Sequence, residues 1–433
     1  AASAPEQSLA GLLETLSPPW WSSEDDGGRP EADALARGGR RGAGTYAAPR
    51  DALETQLQEL WEKVLGVSPV GIKDNFFDLG GHSLPAVRLF TEIEKVLGKR
   101  LPLATLFHAP TVEQMATHLR GEESSDGWSS LVPVQPEGSR PPFFGIHAGS
   151  GNVLFYRDLA RRLGPDQPFY GLQAQGLDGK RPRHTRVEDM AAHYIREMRR
   201  LQPEGPYFFG GGSFGGLVSF EIAQQLRAQG QKVALVALFD THGPGYPKPL
   251  PTTSAFRRKL YDLWGRIDHH AGNLHALDWK GRLTYVEEKR RKARVMAIRA
   301  YKKRLERLAR KLHVIPPNTL PGPLQQTESA IRQCAQNYVP RVYPGRVTLF
   351  RASKQPQGIY PDPELGWGGL ASGGLEIHEV PGHHGSMLSA PRVETLAEQL
   401  TACLDKARAS VGAETGAEPV EVDEEAYEYS AVS

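Results

Sequence analysis

The sequence has few cysteines and almost no net charge. Its 433 residues include two cysteines, Cys334 and Cys403, and 52 basic against 50 acidic side chains, which leaves a net charge of +2. Two cysteines are too few for a disulfide scaffold, so we expect both to be reduced residues packed in helices. The near-neutral charge provides no overall field that would attract nucleic acid or an anionic membrane, and we expect neither partner.

Long apolar runs are also missing. No stretch reaches the roughly 18 apolar residues that indicate a membrane span, and the first twenty residues lack the pattern of a signal peptide. We therefore expect a cytoplasmic location. The chain begins with Ala, from which we expect a piece of a longer polypeptide, and its length predicts more than one domain.

Composition and periodicity change along the chain. Residues 1–48 are rich in Ala, Gly, Pro and charge, which predicts a linker or the tail of an upstream domain. Apolar residues at helical spacing predict a small all-α bundle in 50–120, and a Pro-rich segment, 121–141, is predicted to be a linker. From 142 to 408 strands alternate with helices, which favours a mostly parallel sheet covered on both faces. The acidic residues 409–433 are predicted to be a disordered tail.

A serine between glycines indicates the chemistry. Residues 211–215 form a G-x-S-x-G motif between a predicted strand and a predicted helix. This is the context of a nucleophile elbow, in which only glycines fit around a serine on so tight a turn. We predict that Ser213 is the nucleophile of an acyl-transfer enzyme and that the Phe214 amide is one oxyanion donor. A second donor is expected after the first strand, at Ala148 or Gly149.

A serine nucleophile needs a base, and the base needs a carboxylate to orient it. His383 and His384 both follow the last predicted strand, where the base belongs in the chain order Ser, acid, His. The acid has two candidates, Asp240 at the end of a strong strand and Asp362 in a later loop. The spacing of these residues does not decide between the two histidines as the base, or between the two aspartates as the acid.

A segment rich in Arg and Lys, 245–325, interrupts the alternation of strands and helices. Its densest basic run, 289–292, is typical of a solvated helix face. Apolar residues that step three and four positions apart over 298–312 predict an amphipathic helix. We expect its apolar side, which includes Tyr301 and Leu305, to cover the mouth of the site.

A second serine, Ser83, follows two glycines and His82 at the start of a predicted helix. The usual role of such a serine is to cap the helix. A helix N-terminus also suits a phosphate, through its free amides and its dipole. The preceding residues 75–78 are predicted to pack their loop onto the bundle.

Residues 50–120 resemble a peptidyl carrier domain of nonribosomal peptide synthetases. The resemblance rests on the motif Val-Gly-Ile-Lys-Asp-Asn-Phe-Phe-Asp-Leu-Gly-Gly-His-Ser-Leu at 70–84. It implies that a phosphopantetheinyl transferase attaches a covalent 4'-phosphopantetheine arm to Ser83. Polyketide carriers usually have Asp where this chain has His82, so peptidyl carriers are the better match, while a hybrid polyketide and peptide assembly line stays open.

Residues 130–408 resemble the terminal type I thioesterase of such assembly lines. The matching segments are 142–152, 168–179, the elbow, 238–240 and 381–388. The resemblance implies an α/β-hydrolase domain with a helical lid at 245–325. It also favours Asp240 over Asp362 as the acid, and His384 over His383 as the base.

The two resemblances together imply a multi-domain chain in which a small all-α carrier bundle precedes an α/β-hydrolase thioesterase. An acyl or peptidyl thioester, built by upstream modules of the same polypeptide, would pass from the arm on Ser83 to Ser213. Release would follow by hydrolysis or by intramolecular attack, which is macrocyclisation, and no metal is expected. The alternative is a stand-alone or editing serine hydrolase that acts on small acyl thioesters.

Overall fold

The computed structural model describes residues 46–121, 128–248, 322–356 and 359–415. Its helices are α1 (Ala52–Leu65), α2 (Ser83–Leu97), α3 (Thr105–His108), α4 (Val112–Arg120), α5 (Arg157–Arg162), α6 (Val187–Leu201), α7 (Phe214–Ala228), α8 (Gly322–Asn337) and α9 (Val393–Thr415). Its strands are β1 (Leu131–Gln135), β2 (Phe143–Ile146), β3 (Phe169–Leu172), β4 (Tyr207–Gly212), β5 (Val233–Phe239), β6 (Val347–Lys354) and β7 (Leu375–His383). Among these helices, none has the length and apolar character needed to cross a lipid bilayer.

The first four helices form a small bundle with its own core. Helix α1 begins at Asp51, which accepts a 2.9 Å hydrogen bond from the Glu54 amide, and ends at Gly66 in the left-handed conformation. Apolar faces of α1, α2 and α4 meet around Trp61 and Phe76, neither of which is exposed. This agrees with the helical bundle expected from the spacing of apolar residues.

The remaining elements form a sheet with strand order β1-β3-β2-β4-β5-β6-β7, in which only β1 is antiparallel to its neighbour. Alternate residues of the central strands enter two separate apolar clusters, as expected when both faces of a sheet are covered. Helices α6, α7 and α8 supply one cluster, and α5 and α9 supply the other. The predicted α/β-hydrolase architecture is therefore confirmed.

Two predicted boundaries differ from the structure. Part of the expected linker 121–141 is strand β1, which pairs with β3; its proline is compatible with a strand because β1 lies at the sheet edge. The first residues of the expected disordered tail continue helix α9 to Thr415. Most of the expected lid, with Tyr301 and Leu305, lies outside the described residues, but α8 begins within its predicted range.

The two cysteines are where the sequence predicts them. Cys334 lies in α8 and Cys403 in α9, and both are free and buried. Burial raises the pKa of each thiol, so both stay protonated near neutral pH. The expectation of reduced packing residues is confirmed.

Candidate active site

Ser213 lies at the turn between β4 and α7. Its φ of 55° and ψ of −119° are unfavourable for a residue with a side chain, which marks the turn as strained. A Cβ atom on Gly211 would lie 2.4 Å from the carbonyl carbon of Gly215, and one on Gly215 would lie 2.5 Å from the oxygen of Ile146. Glycine is therefore required on both sides of the serine, which is held at the end of a buried strand.

Asp240 and His384 meet beside this strand end. Asp240 follows β5, is 1% exposed, and places Oδ2 2.8 Å from Nδ1 of His384. Burial alone would raise the pKa of Asp240, but hydrogen bonds from His384 and from the Ala352 amide lower it overall. The same bond to Asp240 raises the pKa of His384 against the opposing effect of burial.

The other two candidates have different partners. Nδ1 of His383 accepts a 3.2 Å hydrogen bond from the Gly385 amide, and burial lowers the pKa of its ring. Asp362 accepts hydrogen bonds from the amides of Glu364 and Gly366, at 2.9 and 2.8 Å, and so shapes its own loop. The structure brings Asp240 and His384 together and gives Asp362 a local role.

The predicted oxyanion donors lie on adjacent segments. Ala148 is in the loop after β2, and Phe214 is the first residue of α7. Within the described part of the chain, neither backbone amide has a hydrogen-bond acceptor. Both amides are thus available to a substrate oxygen. Gly149 is more exposed than Ala148, which favours Ala148 as the second donor.

His147 is a residue that the sequence reasoning missed. Its fully buried ring stacks on Phe214 with centroids 5.8 Å apart, and its Nδ1 lies 2.7 Å from the carbonyl oxygen of Ala148. Burial lowers the pKa of His147 to about 4, so the ring is neutral near pH 7 and Nδ1–H can donate to that carbonyl. His147 therefore fixes the segments that carry both candidate donors.

Two further residues support the Asp240–His384 pair. Gln355 donates a 2.9 Å hydrogen bond to Oδ1 of Asp240, and the ring of His242 stacks on His384 with centroids 5.9 Å apart. The one sequence signal for His242 is its position, two residues after the predicted acid Asp240. Nothing in the sequence marks Gln355, because it reaches Asp240 from the loop after β6.

Ser83 begins helix α2 in the bundle. The preceding Gly80 has φ of 89°, and a Cβ atom on Gly81 would overlap the Phe76 ring at 2.3 Å, so both positions need glycine. His82 is the N-cap residue and its side chain makes no capping hydrogen bond, and the first turn of the helix contains no acidic residue. A phosphodiester on Ser83 would therefore lie at a helix N-terminus that suits an anion.

Comparison with known proteins decides the family. The thioesterase domain family matches residues 141–404, and the phosphopantetheine attachment site family matches 55–119. The chain belongs to the thioesterase domain family. In this chain the segment that matches the phosphopantetheine attachment site family precedes the thioesterase domain. Residues 55–119 are a phosphopantetheine attachment site. The resemblance to a terminal carrier and thioesterase pair of nonribosomal peptide synthetases is confirmed.

The chain as a whole is similar to large synthetases. It is 31% identical over 373 residues to chondramide synthase cmdD of Chondromyces crocatus, covering 83% of this chain and 9% of the relative. It is 43% identical over 198 residues to malpinin synthetase of Mortierella alpina, covering 45% of this chain and 3% of the relative. The solved four-domain nonribosomal peptide synthetase holo-AB3403, bound to AMP and glycine, is 28% identical with a TM-score of 0.48, covering 83% of this chain and 26% of that one. The whole chain thus spans a small part of the length of these relatives.

Proposed function

We propose that Ser213, His384 and Asp240 form a triad that releases an acyl or peptidyl chain delivered from Ser83. The observation that carries this proposal is the 2.8 Å contact between His384 and Asp240 beside a strained serine at the end of a parallel strand. A carboxylate in that position holds the imidazole with its proton on Nδ1, which leaves Nε2 free to act as a base.

Acyl transfer would begin when Nε2 of His384 takes the proton of the Ser213 hydroxyl and Oγ attacks the thioester carbonyl carbon. The amides of Ala148 and Phe214 would stabilise the negative oxygen of the tetrahedral intermediate. Its collapse breaks the carbon–sulfur bond, the thiolate receives the proton from His384, and the acyl chain remains as an ester of Ser213. Asp240 would stabilise the imidazolium throughout.

The second half of the reaction restores the serine. Water, or an amine or hydroxyl of the bound chain, would lose its proton to His384 and attack the ester carbonyl carbon. Water gives the free acid, and an internal nucleophile gives a macrocycle. Ser213 then leaves with the proton returned by His384, so the triad is unchanged after each turnover.

The carrier residues have a separate task. Ser83 would hold 4'-phosphopantetheine through a phosphodiester at Oγ, where the first turn of α2 offers amides and no acidic side chain. The bound group supplies the thiol that carries the acyl chain as a thioester. A phosphopantetheinyl transferase and upstream modules of the same polypeptide are the proposed partners, in the cytoplasm, with the carrier spanning 50–120 and the thioesterase 142–408.

Intact-mass analysis tests this function. The full chain is loaded on Ser83 with an acyl-pantetheine from an acyl coenzyme A, and loss of the acyl mass is followed with time. Ser213→Ala should keep the acyl group on the carrier, whereas Ser389→Ala, an exposed serine near His384, should release it like the parent. Release from Ser213→Ala at near the parental rate would reject the nucleophile. The mass of the product distinguishes the free acid from a macrocycle.

The alternative, a hydrolase of small acyl thioesters, makes a different prediction for Ser83→Ala. A stand-alone or editing hydrolase would process its physiological substrate equally well without the carrier serine. The proposed function predicts that an acyl coenzyme A and a transferase can no longer load this variant. Its turnover of a short synthetic thioester in solution should nevertheless persist.

A further inference from the structure

The carrier bundle and the thioesterase domain meet at residues 152–161, the docking segment, which leads into and includes most of α5. Leu154 in this segment is 4% exposed and belongs to the apolar cluster of the carrier bundle, together with Phe76 and Leu106. An apolar side chain of the thioesterase therefore completes the core of the carrier. The carrier covers Leu154 and removes its surface from water.

Arg157 of the docking segment contacts the loop that leads to Ser83. Its guanidinium carbon lies 4.4 Å from the centre of the Phe77 ring, and its Nη2 is 3.3 Å from Oδ1 of Asp78. The Arg157 side chain is 18% exposed, and burial lowers the pKa of its guanidinium. The predicted loop-packing residues thus divide their roles: Phe76 packs inside the bundle, and Asp78 faces the thioesterase.

The attachment serine itself is in contact with the docking segment. The Ser83 hydroxyl donates a 3.2 Å hydrogen bond to Oδ1 of Asn152. Asn152 is 3% exposed, also accepts from the Leu154 amide, and donates to the Ser150 hydroxyl at 3.0 Å, so its side chain is fixed in place. The hydroxyl that a transferase must modify is therefore engaged by the thioesterase.

We propose that the docking segment holds the unmodified carrier closed on the thioesterase, and that the carrier must separate before Ser83 can be modified. The inference rests on the proposed function only in taking Ser83 as the attachment site. In that modification Oγ of Ser83 bonds to the phosphorus of the pantetheine phosphate of coenzyme A. The bond to the nucleotide phosphate breaks, adenosine 3',5'-bisphosphate leaves, and the transferase takes the hydroxyl proton.

Modification also weakens the closed state. An Oγ that is part of a phosphodiester has no proton and cannot donate to Oδ1 of Asn152. The closed arrangement then loses a hydrogen bond and gains a charge next to a buried amide oxygen. The apo carrier is thus held more tightly than the modified carrier, which is free to move between its upstream partners and the thioesterase.

The test measures the rate at which a phosphopantetheinyl transferase and coenzyme A add the arm to the full chain, by intact mass. Arg157→Glu replaces the attraction to Asp78 with repulsion and so destabilises the closed arrangement relative to the separated one. Modification should be about tenfold faster, which corresponds to a change of about 1.4 kcal/mol in the free energy of this equilibrium. Leu154→Ser and Asn152→Ala should speed it by smaller factors. Arg162→Glu is the matched control, because Arg162 lies on the same helix and pairs with Glu394 of the thioesterase.

Equal rates for the parent and all three docking variants would overturn the proposal. Equal acceleration by Arg157→Glu and Arg162→Glu would also overturn it, because the effect would then come from charge at the transferase encounter. Hydrogen exchange at residues 76–83 provides a second measurement and should quicken in Arg157→Glu with the thermal unfolding midpoint preserved. Neither readout involves release by Ser213, whereas an arm added to Ser83→Ala would contradict the attachment site itself.

Discussion

Nδ1 of His384 lies 2.8 Å from Oδ2 of Asp240, although 144 residues separate them in the sequence. The contact exists because β5 and β7 run parallel to β6 between them, so that both residues emerge at the same edge of the sheet. Oδ1 of Asp240 is occupied by the Ala352 amide and Gln355. The carboxylate is held from one side and presents its other oxygen to the imidazole.

Asp240→Asn should lower the release rate by about a hundredfold to ten-thousandfold, because the amide leaves the imidazole without its charged partner. Asp362→Asn is the control. The Asp362 carboxylate accepts hydrogen bonds from the Glu364 and Gly366 amides of its own loop, so its replacement should leave release within a few-fold of the parental rate. Single-turnover release from the loaded carrier measures both. The opposite ranking would move the acid to the later loop.

The pH dependence of release should follow the imidazole. The pKa of His384 is raised from its ordinary value of 6.5, and only the neutral ring can accept the serine proton. The rate should therefore rise with pH, with a midpoint above 6.5. Asp240→Asn removes the interaction that raises the pKa, so the midpoint should move to lower pH. A midpoint that stays in place would mean that another group controls the rise of the release rate with pH.

His147→Leu should lower the release rate about tenfold or more, because the Ala148 peptide loses the hydrogen bond that orients it. In His147→Asn the side-chain amide nitrogen can replace Nδ1 and should recover part of the rate. The affinity for a small thioester should change less than its turnover, since the oxyanion forms only after attack. Equal losses in both variants would indicate a packing defect.

Tyr156→Phe should destabilise the thioesterase by about 1 to 3 kcal/mol, because a buried carbonyl and a buried amide lose their partner. The Tyr156 hydroxyl donates to the carbonyl of Ile146 at 2.7 Å and accepts from the amide of Gly212 at 3.2 Å. Thermal unfolding measures the loss, and Phe155→Leu beside it is the control. An unchanged midpoint would mean that water replaces the hydroxyl.

Local patterns were enough to predict most of the sheet. The helical bundle expected in 50–120 and the alternation of strands and helices expected in 142–408 both appear in the structure, because their segments have a clear apolar period and turn signals at their ends. Strand β1 was missed because its proline resembles a linker, and proline is acceptable there only at a sheet edge, which the sequence does not reveal.

Residues of the site could be predicted from the sequence alone only where they lie within a single short motif. The glycines around Ser213 and Ser83 are local signals, and they identify both turns. The pairing of Asp240 with His384 came from family resemblance, and their catalytic roles stay predictions. Contacts between distant loops, such as Gln355 with Asp240 or Ser83 with Asn152, have no local pattern and required the fold.

Strand β1 also affects how the sheet meets other chains. It forms one edge of the sheet, and an exposed edge is a template for pairing with a foreign strand. Pro133 has no N–H to offer such a strand, and the register of β1 against β3 shifts between Pro133 and Gln135. This edge is therefore a poor site for intermolecular strand addition, which limits aggregation between copies of the protein.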